Sequence, residues 1–245
     1  MPPLIYFVRH AEAEHNVSRN ANARDACLTQ RGKAQCARLL ETFPAHDSID
    51  LVVASPLRRT IQTAVLSFGP ALAKENVGIH LLPEAQEVSS MTCNVGFTRE
   101  ELEVEVQNLF GDDESATLAS RKIDYAAVVD GWNSKQGIWN SEKSTVEARA
   151  ATLRAWLYAR PEKAIVVVTH GNFLHYLTEE WNELIYSTGK LATAKVTALG
   201  LLPPRGTSWA NCETHQFEFS PDSNEKEAHL VETDASKNAR QSFGA

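Results

Sequence analysis

The clearest pattern in the sequence is a set of short apolar runs, each of which ends at polar or charged residues. The runs correspond to predicted strands at residues 4–8, 50–54, 77–82 and 164–168. Runs of this length, rich in Val, Ile and aromatic residues, are typical of buried β-strands. Their nearly continuous apolar character indicates strands whose two faces are both covered, as in a parallel sheet.

Between these runs the apolar residues recur at helical spacing. The pattern predicts helices at residues 28–40, 98–110, 145–158 and 172–181, and a further helix that begins at Pro56. Thr29, Thr98 and Thr145 stand where N-caps are expected. The alternation predicts an α/β fold, a three-layer sandwich with a mostly parallel central sheet flanked by helices.

The C-terminal quarter is less regular. Residues 196–202 are predicted as a late strand and residues 211–219 as its antiparallel partner. From Ser220 the composition becomes polar, which is typical of a mobile tail. We therefore expect one domain over residues 1–220, with a cap-like insert at about 88–143, and a polar tail over residues 221–245.

Basic side chains follow three of the predicted strands. Arg9 and His10 follow the first, Arg58 and Arg59 the second, and His170 the fourth run at residues 164–168. In open α/β sheets the reactive groups lie just beyond the carboxyl ends of the strands. These residues therefore predict an anion site that contains a nucleophile, although a single histidine after a strand is more often a loop residue.

The first motif is Arg9-His10-Ala11-Glu12, followed by Asn16. It resembles the Arg-His-Gly-Glu signature of the histidine phosphatase superfamily, the phosphoglycerate mutase-like group. Residues 55–64 resemble the second signature of that family, and Thr169-His170-Gly171 resembles the last. The resemblance runs in order from residue 4 to about residue 175, and Ala11 replaces the usual glycine with another small residue.

The resemblance implies a role for each matched residue. His10 is the expected nucleophile, which carries the phosphoryl group as a phosphohistidine, and His170 is the second catalytic histidine. The expected phosphate-binding residues are Arg9, Asn16, Arg59 and Gly171. Arg58 is the adjacent alternative to Arg59, because both stand in the first turn of a predicted helix, where an anion is favoured.

The resemblance also implies a glutamate that protonates the leaving group, within a Pro-x-Leu-x-Glu segment. Aligned on Pro83, the proton donor is Glu87. Glu84 competes with it, because Leu82-Pro83-Glu84 also matches part of the pattern. Ala85 replaces the leucine of the family. The donor must be protonated at first, so we expect burial to raise its pKa.

The predicted activity is hydrolysis of a small phosphate or diphosphate ester by a metal-independent enzyme without a cofactor. Two alternatives remain: a phosphoglycerate mutase that needs a bisphosphate primer, and a phosphate-binding family member without turnover. Residues 17–27 lack the longer basic segment of the mutases, which favours hydrolysis. Trp132 and Trp139 lie in the insert, where they either line the substrate site or pack the cap onto the core.

Composition restricts the partners and the compartment. The formal net charge of −7 and the pI of about 5.6 argue against nucleic acid and anionic membranes as partners. The start of the chain lacks the pattern of a signal peptide, and no apolar run is long enough to span a bilayer. The four cysteines form no C-x-x-C pair, so we expect reduced thiols and a cytoplasmic location. The oligomeric state is open.

Overall fold

The computed structural model describes residues 1–18, 22–180 and 209–243. In this part of the chain a seven-stranded sheet occupies the centre. Its strands, in chain order, are β1 (Leu4–Arg9), β2 (Leu51–Ala54), β3 (Ile79–Leu81), β4 (Ile123–Asp124), β5 (Ala164–Thr169), β6 (Thr214–Phe219) and β7 (Leu230–Glu232). The spatial order is β4-β3-β2-β5-β1-β6-β7.

The first five strands in chain order run parallel, and β6 and β7 add an antiparallel edge. The register aligns Arg9 with Thr169 and Ala54 with Val168. The carboxyl ends of β1, β5 and β2 therefore coincide at one edge of the sheet. The residues that follow these strands are held next to one another by the backbone hydrogen bonds of the ladder.

Helices cover both faces of the sheet. They are α1 (Glu14–Ser18), α2 (Gln30–Thr42), α3 (Arg58–Ser67), α4 (Gly69–Leu72), α5 (Arg99–Asn108), α6 (Glu114–Ser120), α7 (Lys143–Tyr158), α8 (Gly171–Thr178) and α9 (Asp234–Phe243). Alternate residues of β1 enter opposite cores: Tyr6 and Val8 pack with α2 and α3, whereas Ile5 and Phe7 pack with α7 and α8. The predicted three-layer α/β sandwich is thus confirmed.

The helix predicted to begin at Pro56 begins two residues later, at Arg58, so that prediction was wrong. Two of the three threonines predicted as N-caps are confirmed. Thr29 accepts from the Gly32 N–H, and Thr98 forms a reciprocal capping box with Glu101. The prediction for Thr145 was wrong, because α7 begins at Lys143 and Thr145 lies inside its first turn. The Val146 N–H donates to the carbonyl of residue 142 at 3.0 Å, so this turn is already closed across Thr145.

The C-terminal segment is more ordered than its composition indicates. The expected mobile tail was wrong for residues 230–232, which form β7 at the sheet edge, and for residues 234–243, which form α9. Leu230 and Glu232 are buried while Val231 is exposed, and this alternation is hidden within a polar stretch. The predicted strand at residues 196–202 lies outside the described residues.

Residues 88–143, the segment predicted to be a cap-like insert, contribute a strand to the sheet. The segment contains α5, α6 and β4, and β4 pairs in parallel with β3. Trp132 is 1% exposed and packs within the main core, where its Nε1–H donates to the Phe97 carbonyl at 3.0 Å. Trp132 therefore packs the insert onto the core. No helix in the described ranges has the length and apolarity needed to cross a membrane.

Candidate active site

His10 lies immediately beyond β1 and is almost completely buried. Its N–H donates to the Thr169 carbonyl at 2.9 Å, which ties it to the end of β5. The ring centroid of His10 is 5.2 Å from that of His170 and 5.8 Å from that of His15. Three imidazoles therefore meet at the edge of the sheet where the strand ends coincide.

The hydrogen bond of His10 fixes its tautomer. Nδ1 lies 2.7 Å from the Ala11 carbonyl oxygen, and because that oxygen only accepts, Nδ1 is the protonated nitrogen. The pKa of His10 is well below its usual value, chiefly because of burial and also because of the positive charge of Arg59. Nε2 therefore carries a free lone pair at neutral pH, as a nucleophile requires.

Ala11 stands where the family usually has glycine, and its backbone conformation is one that alanine readily adopts. It is fully buried, and its backbone does not adopt a positive φ. The Ala11 N–H donates to Oγ1 of Thr63 at 3.0 Å, and the Thr63 hydroxyl donates to the Arg59 carbonyl at 2.7 Å. A methyl group is therefore accommodated, and the loop after His10 is attached to α3.

Arg59 stands in the first turn of α3, and its side chain is completely buried. Nη1 donates to the Cys93 carbonyl at 2.9 Å, while Nη2 donates to Oδ1 of Asn94 at 2.8 Å and to Nδ1 of His170 at 3.1 Å. The Asp25 carboxylate lies 4.0 Å from Nη1. These contacts hold the planar guanidinium in one orientation beside the histidines.

The neighbouring Arg58 points elsewhere. Its Nη1 forms an ion pair with Glu105 at 2.7 Å, and its Nε donates to the Asp25 carbonyl at 2.9 Å. It also lies over the ring of Phe97. Of the two arginines in the motif, Arg59 is therefore the one that the structure brings to the histidines.

His170 follows β5 and is also completely buried. Because its Nδ1 accepts from Arg59, its neutral ring carries the proton on Nε2, which lies 3.0 Å from Oγ of Ser55. Burial, followed by the charge of Arg59, holds the pKa of His170 well below its usual value. Ser55 was not predicted as a site residue, although it is the first residue after β2.

Arg9 and Gly171 are in direct contact. An added Cβ at Gly171 would lie 3.2 Å from Nε of Arg9, so a side chain there would press on the guanidinium. Nη1 of Arg9 donates to the Trp209 carbonyl, and Nε is buried without a hydrogen-bond partner in the described ranges. Burial lowers the pKa of Arg9, and the charges of Glu87 and Glu213 oppose this shift.

The two candidate acids face different surroundings. Glu87 is half-buried, and its carboxylate acts electrostatically on Arg9, Arg59 and Arg149. One carboxylate oxygen accepts from the Val88 N–H at 2.8 Å. Glu84 lines a separate groove of about 460 Å³, together with Trp139 and other residues. The structure therefore brings Glu87, and not Glu84, into the electrostatic field of the two site arginines.

Asn16 lies at the rim rather than among the buried groups. Its side chain is exposed, Oδ1 accepts from the Ala13 N–H at 3.0 Å, and Nδ2 lies 3.2 Å from Nε2 of His15. The neighbouring His15 lies beside His10, with 5.8 Å between the ring centroids. Burial, Arg59 and Arg9 together lower the pKa of His15 to about 4. Its place among the histidines was not predicted, because no signature position marks it.

Two further cations adjoin Glu87. Nζ of Lys135 donates to Oε1 of Gln86 at 2.5 Å and to the Glu87 carbonyl at 3.1 Å. Nη1 of Arg149, on α7, donates to the carbonyls of Glu84 and Gln86 at 2.8 and 2.6 Å. No local sequence signal marks either residue, because each contacts residues 84–87 only through the tertiary fold, Lys135 from the insert and Arg149 from α7. Across residues 1–18, 22–180 and 209–243, no group of three or more His, Cys, Asp or Glu is arranged to hold a metal ion.

Comparisons with known proteins agree with this geometry. The family model of the histidine phosphatase superfamily (branch 1) matches residues 5–211. A probable phosphatase of Schizosaccharomyces pombe is 28% identical over 172 residues, which cover 68% of this chain and 73% of that protein. The phosphoglycerate mutase-like protein 1 of Arabidopsis thaliana is 32% identical over 206 residues, which cover 73% of this chain and 72% of that protein.

Among solved structures, a phosphoserine phosphatase variant from Entamoeba histolytica in complex with phosphoserine has a TM-score of 0.51 and 21% identity. The match covers 94% of this chain and 95% of that chain. At this level of identity the likeness establishes the fold alone.

Proposed function

The chain belongs to the histidine phosphatase superfamily, and from that premise we propose that it hydrolyses a small organic phosphate ester through a phosphohistidine, without a metal. The observation that carries the proposal is the state of His10. Its ring is neutral, its Nδ1–H is bound to the Ala11 carbonyl, and its Nε2 is left as a nucleophile beside Arg59.

In the first step Nε2 of His10 attacks phosphorus in line with the ester oxygen. The P–N bond forms as the P–O bond breaks, and the leaving oxygen takes a proton from Glu87. Charge on the equatorial oxygens requires donors that are already in position. Arg59 and Arg9 are held for this role by their contacts with the Cys93 and Trp209 carbonyls.

His170 changes its charge state when phosphate binds. In the structure its pKa is lowered by burial and by Arg59, and a phosphate dianion reverses the sign of the nearby charge and raises that pKa. The added proton comes from solvent and enters on Nδ1, which then no longer accepts from Nη2 of Arg59. The protonated His170 and the released Nη2 both donate to phosphoryl oxygens. Gly171 and the exposed Asn16 complete the proposed phosphate-binding set at the start of α8 and at the rim.

In the second step water replaces His10. Glu87, now a carboxylate, accepts a proton from the water as its oxygen attacks phosphorus, and the P–N bond breaks to release His10 and inorganic phosphate. The same glutamate thus serves as acid and then as base. Each step needs only groups that belong to this chain.

We favour hydrolysis over the two alternatives. The relatives include proteins named as phosphatases and as mutase-like proteins, so names alone do not decide. Residues 17–27 form a short segment without the extended basic stretch of mutases. A binding-only member is disfavoured because His10, Arg9, Arg59 and His170 are all present.

We propose a small-molecule partner and a cytoplasmic location.

The test is phosphate release from para-nitrophenyl phosphate and a panel of metabolite esters in excess EDTA. The variants are His10→Ala and, as a matched histidine control, His229→Ala at a half-exposed surface position. Release by the wild type and the control, lost in His10→Ala, supports the proposal. Equal release by all three places the nucleophile elsewhere. Conversion of 3-phosphoglycerate only with a bisphosphate primer indicates the mutase.

A further inference from the structure

Lys135 is presented to the site by a tightly anchored loop. The loop has positive φ at Gly131, Lys135 and Gly137, and at Lys135 this conformation is unfavourable for a residue with a side chain. Trp132 anchors the loop, because it is buried in the core and its carbonyl accepts from Nε2 of Gln86 at 3.0 Å. Asn133 donates from Nδ2 to the Gly96 carbonyl at 2.8 Å. The backbone from which Lys135 extends is therefore fixed by the fold.

The partners of the Lys135 ammonium are neutral. Nζ donates to Oε1 of Gln86 at 2.5 Å and to the Glu87 carbonyl at 3.1 Å, both of which are uncharged acceptors. Among the described residues, no carboxylate oxygen lies within 4 Å of Nζ. An ammonium has three donors, so two of them are engaged and one is available.

The surroundings of Lys135 are strongly positive. Burial and the nearby guanidinium groups of Arg149 and Arg59 lower the pKa of Lys135 to about 7, against the opposing charge of Glu87. Lys135 in turn acts electrostatically on His170. A negative charge placed near the Lys135 amine would raise its pKa again and stabilise the protonated ammonium form.

We propose that Lys135 binds a second anionic group of the substrate, a carboxylate, and that the phosphate ester is one that carries a carboxylate near the phosphate. This deepens the proposed function and rests on it. The Lys135 ammonium carries one positive charge and has one available N–H. It is therefore suited to a carboxylate, which carries one negative charge. A second phosphate requires more donors than this. Arg149 does not offer them at an open surface: its Nη1 is bound to two carbonyls, its guanidinium is stacked on Phe173 at 4.3 Å, and its Nε, which has no hydrogen-bond partner in the described ranges, is enclosed by protein.

The test compares 3-phosphoglycerate with glycerol 3-phosphate, in which a hydroxymethyl group replaces the carboxylate. Binding is measured by calorimetry at pH 6.5. All proteins carry His10→Ala so that no turnover occurs, and His10→Ala alone is compared with the double variant His10→Ala, Lys135→Met. Lys143→Met, on an exposed lysine at the start of α7, is the matched control. Lys135→Gln is a second neutral variant in case Lys135→Met does not fold.

The expected result is tighter binding of 3-phosphoglycerate by about 10- to 100-fold, the value of one charge-assisted hydrogen bond. This preference is lost in the Lys135 variants and kept in Lys143→Met, while affinity for glycerol 3-phosphate changes little. Equal affinity for the two esters, a preference that survives loss of Lys135, or no binding of either ester overturns the proposal. Failure of the proposed function is a distinct outcome: 3-phosphoglycerate binds with the Lys135-dependent preference, yet the wild type releases phosphate from no ester.

Discussion

Nη2 of Arg59 donates a hydrogen bond to Nδ1 of His170 across 3.1 Å, and both side chains are completely buried. This contact joins the first turn of α3 to the residue that follows β5. It also decides where the charge lies, because a nitrogen that accepts from a guanidinium cannot carry a proton. The cation therefore lies on Arg59, and His170 is neutral. In the proposed mechanism His170 gains a proton only when the phosphate enters.

The first prediction concerns Arg59. Replacement by lysine retains the charge but not the planar fork that contacts the Cys93 carbonyl, Asn94 and His170 at once. We expect kcat/KM for para-nitrophenyl phosphate to fall by about 10²- to 10³-fold. Arg58→Lys is the control, because Arg58 pairs with Glu105. A larger loss in the control than in Arg59→Lys contradicts the assignment.

The second prediction separates the two acids. Glu87→Gln removes the proposed proton donor and should lower kcat for an alkyl phosphate by about 10²- to 10⁴-fold. Glu84→Gln, at a residue that lines the separate groove, should retain nearly full activity. Nitrophenolate leaves without a proton, so with para-nitrophenyl phosphate Glu87→Gln should show a rapid first turnover and then stall. The opposite ranking of the two variants would identify Glu84 as the acid.

The third prediction concerns the space beside Arg9. In Gly171→Ala the new methyl group meets Nε of Arg9 at 3.2 Å, so the guanidinium must shift by a few tenths of an ångström. We expect kcat/KM to fall by about tenfold, because catalysis is sensitive to such displacements, while the thermal midpoint stays close to wild type. Gly69→Ala is the matched control, since Gly69 also begins a helix and its added Cβ meets only Leu40 at 4.0 Å. Unchanged kinetics in Gly171→Ala would show that Arg9 is not positioned by this contact.

The fourth prediction is a pH dependence of stability. Burial raises the pKa of Asp25 from 3.8 to about 7, in spite of Arg59 and Arg58. Because the folded pKa is the higher one, the stabilising contribution is complete below about pH 4 and is lost as the pH rises through 7. Asp25→Asn lacks this titration. Its free energy of unfolding, relative to wild type, should rise by on the order of 4 kcal/mol between pH 4 and 7 and then level off.

Denaturant unfolding at a series of pH values measures this difference directly. The histidines with lowered pKa titrate in both proteins, so their contribution cancels in the comparison. A difference between wild type and Asp25→Asn that does not vary with pH contradicts a raised pKa at Asp25.

The ends of the strands could be predicted from the sequence because their signals are local. An apolar run followed by Arg9 and His10, or by His170, specifies both the strand and the residues at its carboxyl end. The three-layer fold, predicted from these runs and the helical patterns between them, is confirmed. The family, which was inferred from the resemblance of three ordered motifs, is confirmed as well. Once the strands pair in parallel, their carboxyl ends lie at the same edge of the sheet, so no additional sequence signal is needed to bring these residues together.

The rest of the site depends on contacts between distant segments. Lys135 reaches Gln86, and Asp25 reaches Arg59, only after the insert and the loop before α2 have folded onto the sheet. No short-range pattern encodes such contacts. The tail was misjudged for a related reason, because β7 has only three residues and depends on pairing with β6 rather than on its own composition.

The central claim is a phosphorus–nitrogen bond on His10, and trapping the phosphoenzyme tests it most directly. Wild type and Glu87→Gln are mixed with para-nitrophenyl phosphate in EDTA, quenched within one turnover in alkaline denaturant, and digested for mass spectrometry. The prediction is a phosphoryl group on the peptide that contains His10, more abundant in Glu87→Gln and missing in His10→Ala. Turnover without phosphate on His10, or with phosphate on another residue, contradicts the account.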